Sequence, residues 1–327
     1  MKHQIGIIGL GKMGSSLARQ AASKGIEVVA TSKEIADRAQ LQRSGISLVD
    51  GIEPLIGKLT PPRKVFLYIP AGPVVDSVLT LLEPLLAAGD VVVDGGNSHF
   101  RDSAARQARL AAIGIGFVDC GSSGGPVGAL TGACFMVGGE SKDVALVEPI
   151  LRMLSVADGF IHAGAPGTGH FVKLVHNAIE FGMVQAIGEG MALIRASGYL
   201  VDLPALLRNW QHGSVIRGWL IELMEKGLRE NPDLEKISDY VEDTGEVNWA
   251  VEEALRLEVP IPVINASVME LFHSRDKKAI AHRSVAVLRH EFGGHPFGAD
   301  PAIAHERQTG KVGLEMPSSE VPKKSAA

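Results

Sequence analysis

The sequence predicts an α/β protein in which a doubly wound parallel sheet is followed by an all-α C-terminal domain. Short apolar runs alternate with helical segments up to residue 162, the pattern of a parallel sheet. A glycine-rich turn directly follows the first of these runs. Helical periodicity then dominates residues 171–292, with no convincing strand. We therefore expect domains at residues 1–162 and 163–299, and a mobile tail at residues 300–327.

The composition is typical of an ordinary globular protein. The 327 residues are 46% hydrophobic and 21% charged, with a net charge of −5. A net negative charge does not attract nucleic acid or an anionic membrane, so we expect neither as a partner. No apolar run approaches the length of a membrane span. We predict that Cys120 and Cys134 are buried free thiols, that the protein is cytoplasmic, and that it has no metal site.

A dinucleotide-binding loop is predicted at residues 9–14. These residues read Gly-Leu-Gly-Lys-Met-Gly and follow a predicted strand at residues 4–8, with a helix predicted at residues 15–24. The first glycine permits a tight turn, the second lets a pyrophosphate approach the backbone, and the third lets helix and strand pack closely. Free N–H groups at the helix N-terminus then meet the phosphate charge. This context indicates a Rossmann-type domain, and a glycine-rich turn without a ligand is the less favoured alternative.

The second predicted strand spans residues 27–31. The residues at its end indicate which cofactor is bound. Thr31, Ser32 and Lys33 offer two hydroxyls and a cation where an acidic residue would hold the ribose of NAD. We therefore predict NADP, with NAD possible, although Lys33 could be a solvated loop charge and Glu34 could turn toward the ribose. The predicted cofactor-binding residues, which include turns after later strands, are Gly9, Leu10, Gly11, Met13, Gly14, Thr31, Ser32, Lys33, Pro70, Ala71 and Asn97.

A candidate catalytic helix follows the glycines at residues 167 and 169. Lys173, Asn177 and Glu180 are spaced i, i+4 and i+7, which places an amine, an amide and a carboxyl group on one helical stripe. His176 lies beside that stripe. A solvated Lys–Glu stripe is the plain alternative. The upstream glycine-rich turns favour a site, because ligands of parallel sheets bind at the carboxyl ends of strands, where these turns lie.

Together these stretches resemble the 6-phosphogluconate dehydrogenase family, within the β-hydroxyacid dehydrogenases. The resemblance covers nearly the whole chain, whose length is similar to that of the short bacterial form of the family. The Lys-x-x-His-Asn-x-x-Glu pattern is specific to the decarboxylating members. The stretches that carry the resemblance are residues 9–14, 93–98, 123–125, 169–180 and 289–295.

The resemblance implies NAD(P)-dependent oxidative decarboxylation of 6-phosphogluconate, or of a closely related aldonate, to a ketose. Lys173 would take the C3 hydroxyl proton and Glu180 would protonate C1 of the enediol, with Asn177 completing the catalytic set. Arg289 and His295 would come from a neighbouring subunit, which implies a homodimer or homotetramer. The residues that would bind the sugar acid substrate are Asn97, Ser123, Gly124, Gly125, His176, Asn177, Arg289 and His295.

Where the family would hold the sugar phosphate, Arg289 and His295 are kept, whereas three other positions depart from the family pattern. Phe181 stands where the family has a tyrosine, Asn248 where it has a basic residue, and Leu271 where it has an arginine. Each missing charge-assisted bond to a dianion would be worth about 1.5–3 kcal/mol. An unphosphorylated or differently substituted aldonate is therefore an open alternative substrate.

Two further alternatives concern the chemistry itself. A β-hydroxyacid dehydrogenase without decarboxylation would need no acid at Glu180, so that residue argues against it. A nucleotide-sensing or scaffold protein would keep the fold without the chemistry, and the complete Lys-Asn-Glu stripe argues against that.

Overall fold

The computed structural model describes residues 3–301, and within them an eight-stranded sheet has the order β3-β2-β1-β4-β5-β6-β7-β8. The strands are β1 (Gln4–Ile8), β2 (Glu27–Thr31), β3 (Ser47–Leu48), β4 (Lys64–Leu67), β5 (Val91–Asp94), β6 (Gly116–Ser123), β7 (Ala133–Gly139) and β8 (Ser155–Gly164). The order of β1 to β6 is that of a dinucleotide-binding sheet, so the predicted Rossmann-type fold class is confirmed. The mobile tail predicted at residues 300–327 lies, except for its first two positions, outside the described residues.

Helices connect the strands and then continue alone, as predicted. Those between the strands are α1 (Lys12–Ser23), α2 (Arg38–Arg43), α3 (Ile52–Gly57), α4 (Pro73–Leu82), α5 (Phe100–Ala111), α6 (Gly125–Thr131) and α7 (Ser141–Leu154). Those that follow the sheet are α8 (Thr168–Ala196), α9 (Leu203–Trp210), α10 (Trp219–Glu230), α11 (Glu246–Leu257), α12 (Pro262–Arg275) and α13 (Ile280–Gly293).

The strands are apolar on both faces because helices cover both sides of the sheet. In β5, Val91 and Val93 belong to one core cluster, whereas Val92 belongs to the other. All three are at most 1% exposed. Side chains of a strand alternate between the two faces, so a continuous apolar run is what a strand buried on both sides requires.

The direction of β7 differs from the prediction of a parallel sheet. Strands β1 to β6 are parallel, but β7 pairs antiparallel to β6, and β8 pairs parallel to β7. The connection from β6 to β7, residues 124–132, holds only the short helix α6. A crossover between parallel neighbours needs about a dozen residues or more, so this short connection reverses the chain.

Two smaller expectations also need correction. Cys120 is buried and Cys134 is exposed, although both are free thiols as predicted. Cys134 lies between Ala133 and Phe135, which face the core cluster, so its own side chain points to the other side of the strand. The first helix, predicted to start at residue 15, begins at Lys12, directly after the second glycine of the loop.

Helix α8 packs directly on the sheet. A Cβ atom at Gly169 would lie 2.5 Å from Asp119 O and 2.5 Å from Gly138 N, so only glycine permits this approach. The chain forms one compact unit at Met1–Leu271 and a second that begins at Phe272. The described part of the second unit contains α13, where no residue is fully buried. The domain division predicted at residue 162 therefore stays a prediction.

Replacement of Gly169 by alanine tests this close packing. Gly169→Ala should lower the free energy of unfolding by about 1–3 kcal/mol, because the new methyl group meets backbone atoms that cannot move aside. Gly188→Ala in the same helix is the matched control: a Cβ there meets nothing within 4 Å. It should raise the free energy by about 0.5–1 kcal/mol. Urea unfolding followed by circular dichroism measures both, and equal midpoints would contradict the packing.

Candidate active site

The glycine-rich turn after β1 forms a cradle that fits a dinucleotide. Gly9 has φ +100°, and a Cβ there would lie 2.3 Å from Tyr68 O. A Cβ at Gly14 would lie 2.0 Å from Gly9 O, whereas one at Gly11 would meet nothing within 4 Å. Gly9 and Gly14 are therefore required by packing, while Gly11 leaves open space at the start of α1. No side chain caps that helix end and no acidic residue occupies its first turn, so its free N–H groups suit a pyrophosphate.

The cradle opens into a cleft of about 1540 Å³ that also receives one face of α8. The structure thus brings together most of the residues predicted for the cofactor and for the chemistry. The predicted site residues that line this cleft are Gly11, Met13, Gly14, Pro70, Asn97, Ser123, Gly124, Gly125, Lys173, His176, Asn177 and Glu180.

The other predicted cofactor residues do not line the cleft. Gly9 is buried and its N–H donates to Thr31 O at 2.9 Å, which joins the loop to the end of β2. The Thr31 hydroxyl is buried and accepts a bond from Gly51 N–H at 3.1 Å, so it is already engaged within the protein. Lys33 is exposed to solvent. Three more predicted residues are absent from the cleft lining: Leu10, whose side chain is in the core, Ser32 and Ala71.

Arg289 and His295 belong to the second compact unit. There they contact each other, with Arg289 Nη2 at 3.4 Å from His295 Nε2.

The N-terminus of α8 is held by Asp119, which lies in the middle of β6. This carboxylate is 0% exposed, and its two oxygens accept bonds from the backbone N–H groups of Gly167 at 2.7 Å and His170 at 2.8 Å. A helix N-terminus leaves such donors without partners inside the helix and attracts negative charge. Asp119 therefore sets where α8 begins on the sheet.

Two turns of α8 follow β6 toward the cleft. A Cβ atom at Gly121 would lie 2.5 Å from Lys173 Cβ, so the absence of a side chain there lets the lysine stem cross the strand. One turn later, Ser123 Oγ lies 3.1 Å from His176 Nε2. The register between β6 and α8 thus fixes the positions of Lys173 and His176 along the strand.

His176 connects the polar groups of this face. Its Nδ1 lies 3.1 Å from Asn177 Oδ1, 3.4 Å from Lys173 Nζ and 3.8 Å from Glu180 Oε2. Asn177 is 7% exposed, and the other three side chains are half-buried. The amine, the imidazole, the amide and the carboxyl group therefore form one contiguous polar surface in the cleft.

Burial lowers the pKa of Lys173 below its ordinary value, because desolvation disfavours the ammonium form. Negative charge on Glu180 and on Glu246 opposes this shift. A lysine with a lowered pKa has a larger neutral fraction near neutral pH, which is the form that can accept a proton.

The loop that carries Asn97 is supported from below by a buried charge network. Asp94 is 0% exposed and accepts bonds from Gly96 N–H at 3.1 Å and from the Ser98 hydroxyl at 2.7 Å. Arg106 Nη1 lies 3.7 Å from the same carboxylate. Asn97 Nδ2 then donates to Glu246 Oε1 at 2.9 Å, which fixes the amide at the cleft.

Sequence reasoning missed three residues of this arrangement. Asp119 and Gly121 lie in a mostly apolar strand. Their residue types, a charged side chain and a glycine within such a strand, are the only signals that could have pointed to a functional role. Glu246 lines the cleft from the first turn of α11, far from the other site residues in sequence. Its position just before Asn248 and Trp249 could have drawn attention to it.

A dinucleotide cradle that faces a helix with a half-buried lysine and a carboxyl group defines an NAD(P)-dependent oxidoreductase. The family model for the NAD binding domain of 6-phosphogluconate dehydrogenase matches residues 4–164. The model for the C-terminal domain of 6-phosphogluconate dehydrogenase matches residues 169–301. The chain belongs to the 6-phosphogluconate dehydrogenase family, as the sequence resemblance predicted.

Individual relatives agree with this assignment. A 6-phosphogluconate dehydrogenase of Haloferax volcanii, named as NAD(+)-dependent and decarboxylating, is 40% identical over 89% of this chain and 97% of its own length. The solved 6-phosphogluconate dehydrogenase of Plasmodium falciparum, studied with NADP+ and with 6-phosphogluconate, has a TM-score of 0.77 at 27% identity. That match covers 91% of this chain, which spans 66% of the Plasmodium chain.

A more distant structure shows the shared fold alone. The 3-hydroxyisobutyrate dehydrogenase of Salmonella typhimurium has a TM-score of 0.70 at 21% identity, over 84% of this chain and 93% of its own. Among the described helices of the present protein, none is both long and apolar enough to cross a membrane.

Proposed function

We propose that this protein oxidises and decarboxylates an aldonic acid, 6-phosphogluconate or a close relative, with reduction of NAD(P). The observation that carries this proposal is the polar surface of α8, where Lys173, His176, Asn177 and Glu180 meet within the same cleft as the dinucleotide cradle.

Lys173 acts as the general base of the oxidation. Its neutral amine takes the proton of the substrate C3 hydroxyl, while NAD(P) held in the glycine cradle would supply the acceptor for the C3 hydride. The product is a 3-keto acid, whose carboxylate is lost as CO₂ because the β-carbonyl accepts the electron pair. Lys173, now protonated, stabilises the oxygen that gains this charge. Glu180 donates a proton to C1 of the resulting enediol, the carbon that was C2 of the acid, which gives the ketose.

The remaining polar groups orient the substrate. Asn177 and His176 lie on the same face as the base, and Ser123 contacts the imidazole from β6. Asn97 approaches from the loop after β5. A carboxylate can approach the backbone N–H groups of Gly124 and Gly125 closely, because neither residue carries a side chain.

Replacement of the two reacting groups tests the mechanism. Lys173→Met should lower kcat for NAD(P) reduction by about 10²–10⁴-fold, because no base remains for the C3 hydroxyl. Glu180→Gln should lower CO₂ release by a similar factor of about 10²–10⁴, because the amide cannot protonate C1. Lys142→Met, on the exposed side of α7, is the control and should keep full activity. Near-normal turnover by either site variant would refute its assigned role.

We further propose that NADP is preferred over NAD. Support comes from the exposed Lys33 just beyond β2, and from the absence of a carboxylate between Thr31 and Lys33. Lys33→Glu should raise the KM for NADP by tenfold or more, which is about 1.4 kcal/mol, and should leave the KM for NAD nearly unchanged. Gly11→Ala is the matched variant and should weaken both cofactors, since its methyl group enters the pyrophosphate space. An equal effect of Lys33→Glu on both cofactors would contradict the proposed preference.

The active form is proposed to be a homodimer or homotetramer. Along α8, Val172, Val175, Ile179 and Met183 form an apolar stripe whose members are 38–51% exposed, a surface that suits cover by another subunit. By family resemblance, Arg289 and His295 would serve the neighbouring site. A cytoplasmic location also stays a proposal.

Mixing two inactive variants tests this sharing of sites. Lys173→Met and Arg289→Ala homo-oligomers should each be weakly active, whereas unfolding and reassembly of an equal mixture should restore activity. In a mixed dimer one site regains both groups, so about a quarter of all sites should recover. Sedimentation during the assay identifies the active species. No recovery in mixed oligomers, or an active monomer, would exclude a shared site.

A further inference from the structure

Arg106 lies on the buried face of α5, where an apolar residue would ordinarily pack. The buried residues of this helix are Ser103, Arg106 and Leu110, which follow one helical stripe. Arg106 is 3% exposed and does not line the cleft. A guanidinium removed from water is stable only where the protein supplies partners for it, so its contacts determine what it contributes.

On one side, Arg106 holds the start of α4. Its Nε and Nη2 donate to the two carboxylate oxygens of Asp76, at 2.8 Å and 2.9 Å, and Nη2 also donates to Gly72 O at 3.0 Å. Gly72 is the N-cap of α4, and Asp76 lies in its first turn. The loop before this helix contributes Ile69 and Pro70 to the cleft. One planar guanidinium therefore fixes the end of the loop that follows β4.

On the other side, Arg106 faces the loop that follows β5. Its Nη1 lies 3.7 Å from Asp94 Oδ2 and has no hydrogen-bond partner among the described residues. Asp94 is 0% exposed, and its carboxylate accepts bonds from Gly96 N–H and from the Ser98 hydroxyl. Such a buried carboxylate needs a compensating positive charge, which Arg106 supplies. This ion pair therefore supports the loop that carries Asn97 into the cleft.

The two loops belong to the same half of the dinucleotide site. A dinucleotide lies across the point next to β1 where the strand order β3-β2-β1-β4-β5-β6 reverses. The ribose of its adenosine half is recognised at the end of β2, so its nicotinamide half extends toward β4 and β5. The contacts of Arg106 with the two loops therefore lie on the nicotinamide side.

We propose that Arg106 is a positioning residue for the cofactor. It sets the distance between the loops after β4 and β5, and thereby shapes the half of the cleft that receives the nicotinamide ring. It acts through Gly72, Asp76 and Asp94. This inference rests on the cofactor binding of the proposed function and is independent of the decarboxylation step. An arginine that merely stabilised the fold would affect both halves of the cofactor equally.

The test compares binding of the preferred dinucleotide with binding of its adenosine half alone, both by isothermal titration calorimetry. The fragment is ADP for NAD+ and 2′,5′-ADP for NADP+, and neither fragment contains nicotinamide. Arg106→Met should raise the Kd of the dinucleotide by about fivefold or more, because the two loops lose their common support. The Kd of the fragment should stay nearly unchanged.

Arg109→Met is the matched control on the same helix. Arg109 also joins α5 to α4, since its Nε lies 2.6 Å from Glu83 Oε1 and its Nη2 donates to Thr80 Oγ1 at 2.9 Å. These partners lie at the C-terminal end of α4, away from both loops. The control removes one arginine and one ion pair, and it should leave both Kd values nearly unchanged. The same selective loss in this control would overturn the assignment to Arg106.

A second variant serves if Arg106→Met fails to fold. Arg106→Lys keeps a positive charge beside Asp94 but cannot form the forked bond to Asp76, so it should weaken the dinucleotide selectively by about threefold. Equal weakening of dinucleotide and fragment, or no change in either, would overturn the positioning role. A selective loss in a protein whose wild type releases no CO₂ from 6-phosphogluconate or gluconate would support the positioning role while refuting the proposed decarboxylation.

Discussion

The bond between Asp119 and the N-terminus of α8 is the interaction on which the site depends. A carboxylate with no solvent exposure is stable only where donors satisfy it, and the Gly167 and His170 N–H groups do so here. The same contact neutralises the positive end of the longest described helix. Without Asp119, the helix would have no anchor in β6 that sets its register, and Lys173 would have no defined depth in the cleft.

In the proposed mechanism the depth of Lys173 matters, because its amine must be neutral before it can take a proton from the substrate. Burial lowers its pKa, and the neighbouring negative charges limit that change. Gly121 contributes by letting the lysine stem lie against the strand. The lowered pKa of Lys173 is thus a property of its packing as much as of its residue type.

Much of the fold could be predicted because local signals were strong. The bounds of β1 and β2 follow from short apolar runs that end at turn residues, and the glycine loop marks where a dinucleotide is expected. The reversal of β7 was not predicted, because apolar runs carry no strand direction. The exposed Cys134 was missed for a related reason, since a run of apolar residues does not show which face each one occupies.

The site could be predicted only where its residues share one element. Lys173, Asn177 and Glu180 lie on one helical stripe, so their spacing was visible. Glu246 was not, because its contact with Asn97 spans 149 residues and depends on how α11 meets the sheet. Asp119 was also missed, since its partners are backbone N–H groups that any residue would supply. Long-range contacts of this kind require the folded chain.

The reversal of β7 has a consequence for the direction in which the catalytic helix travels. Because β7 and β8 run opposite to β6, the chain leaves β8 at the edge of the sheet remote from the cofactor. Helix α8 then runs alongside β6 in the same direction as the strand. Its successive turns contact Asp119, then Gly121, then Ser123. Had β8 run the other way, the helix would start at the cofactor edge and descend away from it. The single reversal of chain direction at β7 thus brings Lys173 to the cleft that the glycine cradle also lines.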